Sequence, residues 1–305
     1  MNGHPGTRSV DACPACGGAD FRRRVAIEED GRRERLRRFS ELKYGGLLDE
    51  WLEELRPEIV ACDDCGHHWY RRQPSAAQLS RMYASGRPLV EAAVSREPTP
   101  DMLVEMQRLA RMSGRRAPRL LDFGSGFGRW ARAAARAGFR VHAYEPSAAR
   151  GAETVEEFTL VHELAAIAGM QFEVVNLEQV LEHVPDPLET LRLVQGHFGP
   201  DTLLRVRVPN INRPPEGPGV WRDWPYDGRR VHIMAPFEHL HGFTPASLRA
   251  LARRAGLAPV PRWRLARNYP VAWLRQAVEP VHPRWGSTFA LLTSAGTPDR
   301  EQHAH

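Results

Sequence analysis

Three sets of residues in this chain have the types and spacing that chemistry requires. The first is Asp122-Phe123-Gly124-Ser125-Gly126-Phe127-Gly128, preceded by Leu120-Leu121 and followed by an alanine-rich segment. An apolar run closing on an acid, then alternating glycines, predicts strand, tight turn and helix start. Glycines let the backbone approach a ligand, and unpaired N–H groups at a helix start face negative charge, so a nucleotide-like occupant is expected. A dinucleotide fingerprint, Gly-x-Gly-x-x-Gly, is excluded because position 129 is Arg129. The second set is Glu145, at the end of the next predicted strand, where an acid accepts hydrogen bonds from both hydroxyls of a ribose. The third is Cys13-Pro14-Ala15-Cys16-Gly17 with Cys62-Asp63-Asp64-Cys65-Gly66, which together hold all four cysteines. Two C-x-x-C-G knuckles offer four thiolates in tight turns, the tetrahedral set of structural zinc; disulfides or free thiols are the alternatives. Such a closed site has no open position for water or substrate, so zinc held by Cys13, Cys16, Cys62 and Cys65 would stabilise the fold and perform no chemistry. His67 and His68 follow a complete cysteine set and are expected in surface or packing roles.

The elements that must place these residues alternate strand and helix from Arg119 onward. Strands are expected at 120–123, 139–144, 160–163, 172–177, 202–210, 257–264 and 287–293, with a helix at 130–137 that Gly138 caps. Residues 1–75 read as a ribbon interrupted by a long insertion. In it Leu36, Phe39 and Leu42, then Leu47, Leu48, Trp51, Leu52 and Leu55, recur at helical spacing on either side of Gly45-Gly46. The apolar faces of these two helices must pack on the main domain or on a second subunit. Residues 76–117 form a helical connector, with helices from Pro74-Ser75 to Gly86 and over 100–112, expected to lie across the core and close over its ligand. The main domain runs over 118–296 and a frayed tail over 297–305. Trp221-Arg222-Asp223-Trp224-Pro225-Tyr226-Asp227 reads as a lid or substrate wall, or equally as packing against the ribbon. Residues 269–281 read as an amphipathic insert.

The glycine stretch resembles the D-x-G-x-G-x-G loop of class I S-adenosylmethionine-dependent methyltransferases. The order of the two knuckles, Cys65-Gly66-His67-His68-Trp69, and the Pro74-Ser75…Leu79…Tyr83 helix is similar to what precedes the catalytic domain in zinc-ribbon-bearing bacterial methyltransferases. Phe172-Glu173-Val174-Val175 and Val180-Leu181-Glu182-His183-Val184-Pro185-Asp186-Pro187 look like the FDVVxxxxVLEHVPDP segment of the ubiquinone-type branch. The Pro209-Asn210 exit matches that branch too. Glu238-His239-Leu240, Phe243-Thr244-Pro245 and Ala255-Gly256 resemble its EHLxxFTPxSLxxLxxxAG segment. What the resemblance implies is an α/β protein: a Rossmann-like, seven-stranded, mostly parallel sheet behind a small N-terminal zinc ribbon. It implies S-adenosylmethionine as cofactor, its amino-acid end on Asp122, Phe123, Gly124, Ser125, Gly126 and Gly128, and its ribose on Glu145. Its adenine and methionyl edges would lie on Asn176, Leu177 and Glu178, with Glu163 a further candidate for the adenine amine. Glu182 and His183 would emerge beyond the strand ends, and His183 or His239 would take the acceptor's proton. In some relatives a preceding acid joins this Glu and His to hold a divalent metal; here Gln179 stands in that place, so that ligand set is incomplete and a catalytic metal is left open.

A chain of 305 residues, 42% hydrophobic and 26% charged, describes an ordinary soluble protein with one large domain and a small appendage. With no run of about 20 apolar residues and no secretory leader, a cytoplasmic protein without a membrane span is expected. Its formal charge of +5 comes from arginine, since Lys43 is the single lysine, and acids are interleaved throughout. A surface of mixed sign is therefore expected, and nucleic acid is disfavoured as a partner. The expected acceptor is a small molecule or sugar, methylated at oxygen. Two other functions compete: a nucleic-acid methyltransferase, against which the missing N/D-P-P-Y/F motif argues, and a non-catalytic protein that binds S-adenosylmethionine. A homodimer or protein partner would engage the ribbon and its insertion.

Overall fold

Short apolar runs that end in Gly, Pro or an acid become the strands of the main sheet because both of their faces are covered by helices. The fold is taken from a computed structural model, and the structure describes residues 7–28, 31–85, 96–147, 156–212, 221, 224–226, 231–268 and 287–295. In chain order the N-terminal part contains β1 (Arg8–Ser9), β2 (Phe21–Ala26), α1 (Arg32–Tyr44), a 3-10 turn (Leu47–Trp51), α2 (Leu52–Leu55), β3 (Glu58–Cys62), β4 (His68–Tyr70), β5 (Arg72–Gln73), α3 (Ala76–Ser85) and α4 (Pro100–Ser113). The main domain follows with β6 (Arg119–Phe123), α5 (Arg129–Arg136), β7 (Arg140–Tyr144), β8 (Thr159–Val161), β9 (Phe172–Glu178), α6 (Pro187–Gln195) and β10 (Phe198–Pro209). Then come β11 (His241–Gly242), α7 (Pro245–Arg254), β12 (Leu257–Pro259), α8 (Arg262–Asn268) and β13 (Ser287–Ser294).

Seven strands form one sheet in the order β12-β13-β10-β9-β6-β7-β8. β8, β7, β6, β9 and β10 run parallel, and β13 runs antiparallel between β10 and β12. This is the seven-stranded, mostly parallel α/β sheet expected from the sequence. Alternate residues supply its two cores. Leu120, Val174, Leu203 and Leu291 face α4 and α5 with Met106, Leu109 and Ala134, whereas Leu121, Val175, Leu204 and Leu292 face α6 and α7 with Leu191, Leu248 and Leu251. Chain direction across the sheet reverses between β6 and β9, which opens a crevice beyond their carboxyl ends, the place where ligands bind in such sheets. The sixth strand is shorter than expected. It stops at Pro259 and gives way to α8, because Pro259 and Pro261 lack the N–H that a longer ladder needs.

A second, antiparallel sheet has the order β11-β4-β3-β2. Its edge strand β11 comes from the main domain, with His241 opposite Trp69 and Gly242 opposite His68, so the pairing crosses the boundary expected near residue 75. The helical insertion packs inward. Leu36, Phe39, Leu48, Trp51, Leu52 and Leu55 share one core with Ile59 and Tyr70 of the ribbon, Leu79 and Met82 of α3, and Met234, Phe237 and Leu240 of the main domain. Each such side chain contributes about 1.5–3 kcal/mol when buried, which commits this face to the chain itself. Of the insertion's large apolar residues, Leu42 is the exposed one among the described residues. Of the two readings of 221–227, packing holds for Trp224, which is 0% exposed and donates its indole N–H to the Met234 carbonyl at 2.7 Å. Trp221 stacks on His68, 5.4 Å between centroids, so the described part of this segment packs against the ribbon. Arg222, Asp223, Asp227, the 269–281 insert and the 297–305 tail lie outside the described residues. Among the described residues no helix is long and apolar enough to cross a membrane.

Candidate functional site

The loop after β6 turns at the sheet's crossover point and hands the chain to α5, whose N-cap is Gly128. Its glycines are not equivalent. A Cβ on Gly124 would meet Val180 Cγ2 at 2.8 Å, and one on Gly128 would meet Phe158 Cζ at 2.5 Å, while one on Gly126 would meet nothing within 4 Å among the described residues. Gly124 and Gly128 are thus packing requirements, and Gly126 faces open space. Gly128→Ala is expected to destabilise the fold through both its φ of 74° and the displaced Phe158. Gly126→Ala meets only the backbone cost of about 1–2 kcal/mol. Thermal unfolding of the two variants checks the order, and a Gly128→Ala protein as stable as Gly126→Ala refutes it.

Glu145, at the exit of β7, closes the loop from behind. One carboxylate oxygen accepts the Gly126 N–H at 2.9 Å, and the other accepts the Ser147 N–H at 3.0 Å. Asp122 sits beneath the loop, 1% exposed. Its Oδ1 accepts from Asn176 Nδ2 at 2.7 Å, and Asn176 Oδ1 accepts from Arg205 at 2.7 Å. Strand register explains the row: Asp122 is opposite Asn176 and Asn176 opposite Arg205 across β6, β9 and β10. Burial pushes the Asp122 carboxyl up to about 7, against the downward pull of the Asn176 hydrogen bond. Asp122 Oδ2 and Ser125 Oγ have no hydrogen-bond partner among the described residues. Two orphaned polar atoms beside an open glycine fit a ligand that carries its own donors and acceptors.

Asn176 is fully buried and holds Asp122 from below through this hydrogen bond, and Leu177 is buried in the sheet core. The Glu178 carboxylate is engaged by Arg205 at 2.7 Å and Arg207 at 3.3 Å. Phe123 is buried in the sheet core, and Glu163 is exposed beyond β8.

The second cluster lies beyond β9, next to the loop through Val180. Glu182, His183 and His239 bring a carboxylate oxygen and two ring nitrogens within 4.8 Å of one another. The imidazoles meet edge to face with centroids 4.6 Å apart. His183 Nδ1 donates to the Glu238 carbonyl at 2.7 Å, which fixes the proton on that nitrogen, and the Tyr83 hydroxyl of α3 lies 3.4 Å from it. Burial holds His239 below its ordinary value of 6.5, opposed by Glu238 and reinforced by Lys43. Glu182 is different in kind. Burial pushes its carboxyl well up, and its backbone carbonyl accepts the N–H groups of Leu240 and His241. Asp186 caps α6, accepting from Glu189 N with Pro187 at the first turn, and Thr244 caps α7 with Pro245 and Ser247. These caps explain the D-P and T-P-x-S spacings: each starts the helix that follows a site residue.

At the ribbon's end the four sulfurs lie within 4.8 Å of one another. Between knuckles, Cys13 lies 3.6 Å from Cys65 and Cys16 3.5 Å from Cys62. These are far beyond a disulfide bond of about 2.05 Å and close to the edge of roughly 3.8 Å that a tetrahedron with Zn–S near 2.3 Å requires. The Cys65 thiol is held up chiefly by donating to Cys13, which is drawn down to about 5 by the same contact. Packed this closely, the sulfurs fit a central cation. His67 and His68 are buried packing residues: His67 Nε2 lies 3.2 Å from His241 Nδ1.

Sequence patterns gave no site role to Arg205, Lys43, Glu238 or Tyr83. Arg205 stacks on Trp130 at 4.1 Å and pairs with Glu105; an arginine at an inward position of an apolar strand is its signal. Lys43 is marked only by being the one lysine.

A family model for a methyltransferase domain matches residues 101–261, more than half of the chain, and the chain belongs to that methyltransferase family. The ubiquinone biosynthesis O-methyltransferase of Cereibacter sphaeroides (strain ATCC 17029 / ATH 2.4.9) is 32% identical over 170 residues, covering 51% of this chain and 66% of that protein. The enzyme of the same name from Ruegeria pomeroyi is 33% identical over 177 residues, covering 51% and 65%. The chain thus spans just under two thirds of the length of these curated relatives. Among solved structures, the CcbJ methyltransferase from Streptomyces caelestis is 16% identical with a TM-score of 0.43, covering 65% of this chain and 91% of that one.

Proposed function

We propose that this protein is an S-adenosylmethionine-dependent methyltransferase that methylates an oxygen of a small-molecule or sugar acceptor, with zinc in its cysteine ribbon. The observation that carries this is the pairing, at one sheet crossover, of an open glycine loop backed by Glu145 with a histidine pair beyond the neighbouring strand. Family membership supports the cofactor, and the curated relatives' shared name, an O-methyltransferase, supports oxygen. Bound there, the cofactor supplies a methyl group on a positively charged sulfur. Glu145 would accept from the ribose hydroxyls with the lone pairs that Gly126 and Ser147 leave, and the Gly124–Phe127 backbone would hold the amino-acid end. A cationic group near Asp122 draws that buried carboxyl back to its ionised form. His239, held neutral near pH 7, takes the acceptor's proton, and His183 orients it. The loop and the histidines otherwise align the reacting groups and exclude water.

The test is production of S-adenosylhomocysteine from S-adenosylmethionine across phenolic, sugar and amine acceptors. His239→Ala is expected to slow transfer by about 10²–10⁴ while leaving cofactor affinity unchanged. Because His239 must be neutral to accept a proton and titrates below 6.5, the rate should rise with pH through that acidic range and level off above it. A His239→Ala enzyme with wild-type turnover removes His239 from the mechanism, and cofactor binding with no transfer to any acceptor class makes the protein a non-catalytic binder.

A further inference from the structure

The one lysine of the chain occupies the last turn of α1, inside the insertion between the two knuckles. Its ammonium lies 5.9 Å from the ring centroids of both Phe39 and Tyr44 and pairs with the Glu238 carboxylate, both side chains being partly buried. Burial alone would push Glu238 up; Lys43, together with the Tyr44 hydroxyl, holds it below the usual carboxylate range. Glu238 is the residue on which the second cluster turns. Its carbonyl oxygen accepts from His183, its successor is His239, and two residues further on the chain pairs with ribbon strand β4. A surface lysine would make none of these connections.

We propose that Lys43, acting through Glu238, is a positioning residue for the His183–His239 pair, so that the insertion between the knuckles is a working part of the acceptor half of the site. This rests on the reading of that pair as the proton-accepting group. The groups around the pair are Glu182, within 4.8 Å of both histidines, the Tyr83 hydroxyl from α3 at 3.4 Å from His183, and Glu238 and Lys43, which act on His239 in opposite senses, with the Ile233 backbone hydrogen-bonded to the His239 ring. Removing the lysine leaves the Glu238 carboxylate unopposed beside the imidazole, and removing the carboxylate leaves the lysine unopposed. The two changes must therefore act in opposite directions on one ring.

The experiment uses the full chain as Lys43→Met, Lys43→Arg and Glu238→Gln. It follows the histidine ring nitrogens by ¹⁵N NMR during a pH titration and measures S-adenosylmethionine affinity by calorimetry. Expected are an upward move of the His239 midpoint by roughly one pH unit in Lys43→Met, a downward move in Glu238→Gln, near-wild-type behaviour in Lys43→Arg, and cofactor affinity within twofold throughout. If Lys43→Met does not fold, Glu238→Gln decides the matter by the sign of its shift. Unmoved His239 and His183 signals, or equal movement of the distant His197, overturn the proposal. Failure of the methyltransferase reading is separate: it appears as a wild-type chain that does not bind S-adenosylmethionine, and the histidine titrations remain interpretable.

Discussion

Changing Cys62 and Cys65 together to serine is expected to abolish zinc binding and lower the thermal midpoint by on the order of 10 °C or more. Structural zinc in small domains contributes about 10–16 kcal/mol of apparent binding free energy to the folded state, and each kcal/mol moves the midpoint of a domain of 150–250 residues by roughly 2–4 °C. The loss should spread beyond the ribbon. The Cys65 carbonyl accepts from Thr244, the cap of α7, and β4 begins three residues after Cys65 and carries β11. Metal content by emission spectroscopy and a thermal melt test this together. A double variant that melts within about 2 °C of the parent would sink the assignment, as would a parent chain that purifies without zinc and with its sulfurs paired.

Glu145→Ala should raise the dissociation constant for S-adenosylmethionine by roughly 10²–10⁴. Two hydrogen bonds to a charged acceptor contribute about 1.5–3 kcal/mol each, and 1.4 kcal/mol is tenfold in affinity. The change also strips Gly126 N–H and Ser147 N–H of their partner, which loosens the loop itself. Glu145→Gln separates the two effects, because its amide oxygen can still accept one of these N–H groups while the charge is gone. Calorimetry on both variants is the measurement, and affinity within threefold of the parent in Glu145→Ala would mean that the ribose lies elsewhere.

The parts of this molecule that were legible in the sequence are those whose cause is local. Phe172–Glu178 reads as a strand because its apolar run is bounded and covered on both faces, and the loop at 122–128 reads as a turn because its glycines need positive φ. The four cysteines declare a cluster by their spacing alone. What the sequence left open depends on partners far along the chain. The insertion's apolar stripe was plain, but only tertiary packing could say that Phe39 and Trp51 meet Met234 and Phe237. Trp224 stands in a polar, proline-rich stretch that reads as surface, yet Tyr70 and Met234 give its indole N–H the partners it needs inside. Asn176 and Glu178 stand near the end of β9, where their neighbours across the sheet, Asp122, Arg205 and Arg207, engage their side chains. Strand register decides that, and register is not written in one strand.

The borrowed edge strand also sets the order in which the chain can be completed. His67 and His241, stacked together in the finished sheet, are 174 positions apart, so the ribbon leaves the ribosome long before the strand that covers β4. Until then β4 presents an unpaired edge of backbone donors and acceptors, a template for pairing with another chain, and contacts of such span close slowly. A fragment ending before residue 241 would keep that edge permanently. Such a fragment, with its cysteines intact, should aggregate where the whole chain does not.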